Sequence, residues 1–286
     1  MYLYFNILVL LFGLIIGSFL NVVILRLEKS EKLGGRSYCP HCKHSLMWMD
    51  LIPVFSFLFL RAKCRYCSQE ISWQYPLVEV VTGLIFLLVF NFSGLAWNDP
   101  PDDFLKLIFW FYIASVLIVI FVYDLKHYLI PDKILFPAII IAFLCRILEF
   151  FYVEILDEYK PFSQILRSFG EFGSLPPLAY YLLATIIASG FFLCIYMVSK
   201  GKWMGFGDVK LAILLGLILG FPNILAGLFL AFFSGAIIGV ALMLIDKKGL
   251  KSELPFAPFL ILGTFLAMFW GQQLINWYTG LFSFYV

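Results

Sequence analysis

Long apolar runs of similar length alternate along the chain with short polar interruptions. A helix crossing the hydrocarbon core of a bilayer needs roughly 17 to 25 apolar residues. Runs of that kind fall near residues 3–25, 77–94, 104–123, 133–150, 178–198, 223–245 and 255–278. A shorter run, 209–221, lies between Asp208 and the turn-forming Phe221-Pro222-Asn223. It is barely long enough to cross alone, so it reads as tilted, part of a longer helix or re-entrant. Counting it gives eight passes; omitting it gives seven. The first run lacks a basic leader and a small-residue cleavage site, and its positive charges follow it, so it reads as a retained helix.

Composition agrees with the pattern. Of 286 residues, 63% are apolar and 13% charged, against about half and a quarter in a soluble domain. Too few charges remain to cover a water-facing surface, so the expected fold is an all-α polytopic membrane protein in a lipid bilayer. The placement of the charges decides the count. Residues 26–75 carry Arg26, Lys29, Lys32, Arg36, Lys43, Arg61, Lys63 and Arg65 and belong on the cytoplasmic side. Asp99, Asp102 and Asp103 suit the outside, Lys126 and Lys133 the inside, and the net acidic 150–177 the outside. Lys200, Lys202 and Lys210 share a side with Lys247, Lys248 and Lys251 only if 209–221 and 223–245 run down and back. About eight transmembrane helices with both termini outside satisfy the rule. The chain then divides into a first transmembrane helix (1–25), a cytoplasmic insert (26–75) and a multi-helix membrane core (76–286). No stretch reads as nucleic-acid binding, since topology explains the basic insert.

Four of six cysteines sit in the insert, as Cys39-Pro-His-Cys42 and Cys64-Arg-Tyr-Cys67. Each pair places two thiolates on one turn, and two such turns complete the closed tetrahedral shell of a structural zinc. Two disulfides are the competing reading, disfavoured in a reducing compartment. A thioredoxin-like redox motif is another, but no βαβ pattern surrounds either pair. His41 and His44 read as surface residues, Cys145 and Cys194 as buried small hydrophobes. An insert this small buries little core, so metal binding would supply much of its folding free energy.

Asp124 closes one apolar run, in Val122-Tyr123-Asp124-Leu125-Lys126, and Asp208 opens another, in Gly205-Phe206-Gly207-Asp208-Val209-Lys210. The eight-pass topology puts both at one membrane depth on the cytoplasmic side. Ionisable groups there are costly and are functional candidates by default. A close carboxylate pair shares a proton, one member activating water while the other polarises a carbonyl. Gly205 and Gly207 remove Cβ atoms where a peptide backbone needs to approach. The plainer alternative is that each Asp is a helix cap or an interfacial anchor. Lys126, Lys210 and Asp132 pass as interfacial charge, and Asn21 and Glu79 as polar contacts between helices.

Several motifs together carry a resemblance. Gly17-Ser-Phe-Leu-Asn-Val22, the two cysteine pairs, Asp50-Leu-Ile-Pro53, Leu60-Arg-Ala-Lys-Cys-Arg65 and Tyr75-Pro76 with Glu79 and Gly83 resemble the amino-terminal part of the type IV prepilin leader peptidases. Asp124 with Ile130-Pro131-Asp132, Gly205-Phe-Gly-Asp208 and Pro255-Phe-Ala-Pro258 resemble the Gly-x-Gly-Asp aspartyl core and closing motif of that family. The departures are Ala62, where relatives often have glycine, and Glu28, where proline is common. The resemblance implies an endopeptidase of the bacterial inner membrane that cuts the basic leader from prepilins and pseudopilins after a glycine, at the cytoplasmic face. It also implies N-methylation of the new terminus from S-adenosylmethionine in many members. By the same resemblance Asp124 and Asp208 are catalytic, Gly205, Gly207 and Lys210 support them, Cys39, Cys42, Cys64 and Cys67 hold zinc, and Glu79 and Gly83 serve methyl transfer. The alternatives are a peptidase that does not methylate and a non-enzymatic, zinc-stapled transporter or scaffold, which would more naturally show internal repeats.

Overall fold

In hydrocarbon a backbone can satisfy its N–H and C=O groups only within a helix or a closed barrel, and the apolar runs fold as helices. A computed structural model describes residues 2–92, 100–155, 176–245 and 254–282. Its helices are α1 (Tyr2–Glu28), the short α2 (Phe55–Phe59), α3 (Gln74–Phe92), α4 (Pro100–His127), α5 (Asp132–Ile155), α6 (Pro177–Ser199), α7 (Phe206–Leu219), α8 (Asn223–Leu244) and α9 (Ala257–Phe282). Among the described residues the only β pairings are two isolated bridges in the insert, Tyr38 with Ser45 and Lys63 with Glu70. The all-α expectation holds.

Among the described residues seven helices, α1, α3, α4, α5, α6, α8 and α9, are long and apolar enough to cross a membrane. The eighth, α7, has 14 residues and is about 21 Å long, short of the roughly 30 Å core. It differs from the others in being enclosed by protein: Val209, Leu211, Ala212, Leu214, Leu215, Leu217 and Ile218 are all buried. Asp99, residues 156–175 and Lys247, Lys248 and Lys251, which carry part of the sidedness argument, lie outside the described residues.

The chain forms two compact units, Met1–Val122 and Tyr123–Val286, divided within α4. In the first, α1 and α3 pack backbone to backbone. A Cβ on Gly17 would lie 2.6 Å from the Cα of Glu79, and one on Gly13 would lie 2.7 Å from the Cα of Gly83. Small residues permit such approach between membrane helices. The phenyl rings of Phe86 and Phe111 stack 4.1 Å apart and tie α3 to α4. Side chains from α1 then bind both ends of the insert. Buried Arg26 donates to the carbonyls of Leu33, Gly35 and Arg36. Asn21 donates to the Tyr75 carbonyl at 3.0 Å, and its amide oxygen accepts from Gln74 at 3.4 Å.

In the second unit α7 touches α5, α6, α8 and α9. Its Gly216 rides against α6, where a Cβ would come within 2.5 Å of the Thr185 Cα. The helix stops at Leu219, and the turn that follows is tied to α6 by the Phe221 N–H, which donates to the Tyr180 carbonyl at 3.2 Å. A helix ending inside protein and lipid leaves carbonyls that water cannot reach. Arg146 of α5 supplies the donors. Its Nε donates to Leu217 O at 3.0 Å and an Nη to Ile218 O at 3.3 Å. The other Nη pairs with Glu149 at 2.9 Å, and the guanidinium lies 3.9 Å from the centre of the Tyr181 ring. A cation here also meets the negative end of the α7 dipole.

Removing one partner from a buried charge cluster costs about 3–5 kcal/mol. Arg146→Leu is expected to lower thermal stability in detergent by that order. Arg146→Lys, which keeps the charge but loses the planar fork, is expected to recover only part of it. Unchanged melting of the leucine variant would show that the carbonyls have other donors.

Candidate active site

Asp124 lies in the last turns of α4, which closes when the Tyr128 N–H donates to the Asp124 carbonyl at 2.9 Å. The Asp124 residue is only 5% exposed, and its carboxylate accepts a hydrogen bond from the backbone N–H of Ala257. Ala257 is the first residue of α9. The first N–H groups of a helix have no partner within it and carry the positive end of its dipole. The α9 terminus is therefore a fitted seat for an anionic side chain.

Asp208 lies in the first turn of α7, behind the N-cap Gly205. It is 9% exposed, while Gly205 and Phe206 just before it are open to the surroundings. Its carboxylate is held by the Gly205 backbone N–H and stands close enough to Asp124 for the Asp124 charge to act on it. Two acids far apart in sequence thus come within electrostatic range in one unit, each at a helix end and each held by a backbone donor. The two glycines differ in their surroundings. A Cβ on Gly207 would press on Ile130 at 3.3 Å, whereas one on Gly205 would meet nothing nearer than 3.9 Å. Gly207 answers a packing need, and Gly205 leaves open room beside the carboxylate.

Lys210 directs its ammonium to both oxygens of Asp132, each at 2.8 Å, and lies over the Phe136 and Phe206 rings. It joins the first turn of α7 to the first turn of α5. Glu79 and Gly83 lie in the first unit. Glu79 accepts the Val54 N–H at 2.7 Å and a hydrogen bond from Ser18. Gly83 packs against Leu10 and Gly13 of α1.

The two cysteine pairs build near-identical turns. Cys39 N–H donates to His44 O and Lys43 N–H to Cys39 O; Cys64 N–H donates to Gln69 O and Ser68 N–H to Cys64 O. The residue after each second cysteine is left-handed, Lys43 at φ 57° and Ser68 at φ 58°. The turns are held together by the His44 ring, which lies tilted against Tyr66 with ring centres 3.8 Å apart. All four Sγ atoms lie within 4.8 Å of one another, Cys39 and Cys67 at 4.0 Å. Zinc–sulfur bonds of about 2.3 Å in a tetrahedron put sulfurs about 3.8 Å apart, so the set fits a metal. Burial opposes ionisation of Cys64, yet the Tyr66 and Cys67 backbone N–H groups bring its pKa down to about 7. For Cys67 the Gln69 N–H favours the thiolate, but burial and the neighbouring thiols push the pKa up to about 11. Four thiolates at this spacing need a cation to coexist.

Of three further positions, Asp50 and Ala257 fall within motifs quoted above that gave neither a role of its own, and Arg146 gave no signal. Ala257 acts through its backbone. Arg146 stands inside an apolar run, with Glu149 three residues on as its only trace. Asp50 forms a hub, ion-paired with Arg65 at 2.8 Å and accepting from the Tyr66 hydroxyl and the Met47 N–H at 3.1 Å.

Comparison with known proteins places both units in one group. Residues 11–92 match the family model described as the bacterial peptidase A24 N-terminal domain, and residues 111–240 that of the type IV leader peptidase family. The chain is 31% identical over 303 aligned residues to a prepilin leader peptidase/N-methyltransferase of Aeromonas hydrophila, covering 97% of this chain and 94% of that protein. It is 30% identical to proteins of the same description from Bacillus subtilis (94% of this chain, 95% of that one) and Legionella pneumophila (94% and 93%). No solved structure matches.

The geometry of the four thiols predicts about one tightly held metal ion per chain. Elemental analysis of the purified protein is expected to find it, with Cys39→Ser falling to background and Cys145→Ser, outside the cluster, unchanged. Equal metal content in all three proteins would assign the metal elsewhere.

Proposed function

We propose, given that this chain belongs to the type IV leader peptidase family, that it is an aspartyl endopeptidase of the bacterial cytoplasmic membrane in which Asp124 and Asp208 form the catalytic pair. Peptidase activity comes with the family. The substrate class and chemistry are our reading: removal of the basic leader from prepilins or pseudopilins, after a glycine, at the cytoplasmic face. The observation that carries it is a pair of buried carboxylates within electrostatic range of one another, at the end of α4 and the start of α7, with the Ala257 N–H on one of them.

The chemistry follows from the pair. Two carboxylates in mutual range hold one proton between them. The ionised member takes a proton from water as the oxygen attacks the scissile carbonyl. The protonated member donates to the carbonyl oxygen and stabilises the tetrahedral intermediate. Collapse of that intermediate passes a proton to the leaving amine, and the pair returns to its starting state. The Ala257 N–H fixes the rotation of Asp124, and the open face at Gly205 and Phe206 admits an extended backbone beside Asp208. The apolar stem of a prepilin would lie in the bilayer, with its basic leader on the side that Lys200, Lys202 and the insert's cations mark as cytoplasmic.

In the insert, Cys39, Cys42, Cys64 and Cys67 would hold zinc in a closed shell, which organises the turns and leaves no position for substrate. The relatives' description as N-methyltransferases supports a second step, transfer of a methyl group from S-adenosylmethionine to the new terminus, with Glu79 as the candidate group and Gly83 setting the α1–α3 spacing beneath it. One observation favours the narrower reading of a peptidase alone: Glu79 is already engaged by Val54 and Ser18, and Gly83 is covered by α1.

Cleavage of a prepilin in lipid, read by mass, tests both parts. Asp124→Asn and Asp208→Asn are each expected to slow cleavage by at least about 10³-fold while metal content stays at the wild-type level. Wild-type rates in both variants would dismiss the pair. One added methyl group on the wild-type product separates the bifunctional enzyme from the peptidase alone.

A further inference from the structure

Between its two cysteine turns the insert presents a surface that water does not select. From Met47 to Leu60 the only ionisable side chain is Asp50, and it is turned inward. Its side chain is 3% exposed and held by Arg65, Tyr66 and the Met47 N–H. The same segment turns outward Trp48 at 74% exposure, Leu58 at 62% and Phe59 at 84%. Soluble surfaces scatter single apolar residues, and larger exposed apolar patches mark contact sites. Nor is the segment slack. Glu79 holds the Val54 N–H, and buried Phe57 stacks edge-on against Trp73 with ring centres 5.0 Å apart. A framed segment that buries its charge and shows its aromatics is built to meet something apolar.

We propose that Met47–Leu60 lies in the interfacial layer of the membrane that α1 and α3 cross, with Trp48, Leu58 and Phe59 at the acyl boundary and Arg61, Lys63 and Arg65 among anionic headgroups. Continuity argues for lipid as the occupant. Trp73, stacked on Phe57, stands one residue before α3 and is itself exposed. The exposed stripe then runs on along α3 through Leu77, Val80 and Leu84, residues that face hydrocarbon in a spanning helix. The surface of the insert therefore begins where the lipid-facing side of α3 begins. Charge argues the same way: Arg61, Lys63 and Arg65 are exposed and follow the apolar segment directly. Apolar and aromatic side chains beside a cluster of Lys and Arg are the pattern of an interfacial segment. Tethering by α1 on one side and α3 on the other keeps the segment at the surface. The insert is thus a raft resting on the bilayer, and this holds whether or not the chain acts on prepilins.

Photolabelling of the full-length protein tests the assignment. The protein is reconstituted into nanodiscs of phosphatidylcholine and phosphatidylglycerol containing a phospholipid with a diazirine next to its glycerol backbone, irradiated, digested and mapped by mass. Peptides covering 47–60 are expected to label within about two-fold of the Leu77–Leu84 stretch of α3, and at least about five-fold above the turn His41–Lys43. Labelling at the level of His41–Lys43 overturns the proposal. So does a 47–60 segment that lipid leaves unlabelled but that cross-links to added prepilin, which makes it a peptide-binding surface. Labelling that appears only at one protein per disc overturns it in favour of a second copy.

Discussion

A helix that ends where water cannot follow must find donors for its last carbonyls, and the second unit is organised around that requirement at the C-terminus of α7. Arg146 spans the Leu217 and Ile218 carbonyls, while Glu149 and the Tyr181 ring offset its burial. A lone cation at this depth would be prohibitive; one with four partners is a fixed point. With its far end held there and its middle pressed on Thr185 through Gly216, α7 has little freedom to slide or turn. Asp208 rides on the opposite end of the same short rod. The Lys210–Asp132 pair adds a lighter, partly solvated tie at that end, worth little in stability but useful for register.

Helix termini recur as the elements of the candidate site. Asp124 comes from the end of α4, its hydrogen-bond donor from the start of α9, and Asp208 from the start of α7. A bundle whose helices start and stop at a common level brings unpaired N–H groups and carboxylates together without any loop chemistry. The first unit uses the same economy differently. Side chains from the spanning helices, Arg26, Asn21 and Glu79, reach out to bind the backbone of the insert, so its placement is set from the membrane side.

Features governed by local chemistry were legible in the sequence. Apolar run lengths located eight helices to within a few residues, because hydrocarbon thickness and helical rise allow little else. The Cys-x-x-Cys spacing revealed the four-thiol cluster, because each pair is complete within one turn. Asp124 and Asp208 stood out because charges at apolar boundaries are expensive. Features made by distant packing were hidden. The close packing of α1 on α3 through Gly13 and Gly17 is invisible without the partner helix. Arg146 was masked by the hydrophobicity around it. Within the insert the flanking cations dominate the charge pattern, and the inward turn of Asp50 beside the outward Trp48, Leu58 and Phe59 emerges only in the structure.

The hydrogen bond from Ala257 to Asp124 has an evolutionary corollary. Its donor is main chain, so no coding change at position 257 removes it except one to proline, though burial confines that position to small side chains. Most of the support for that carboxylate is thereby placed out of reach of point substitution. What fixes this donor is the placement of a helix start and not the identity of a side chain.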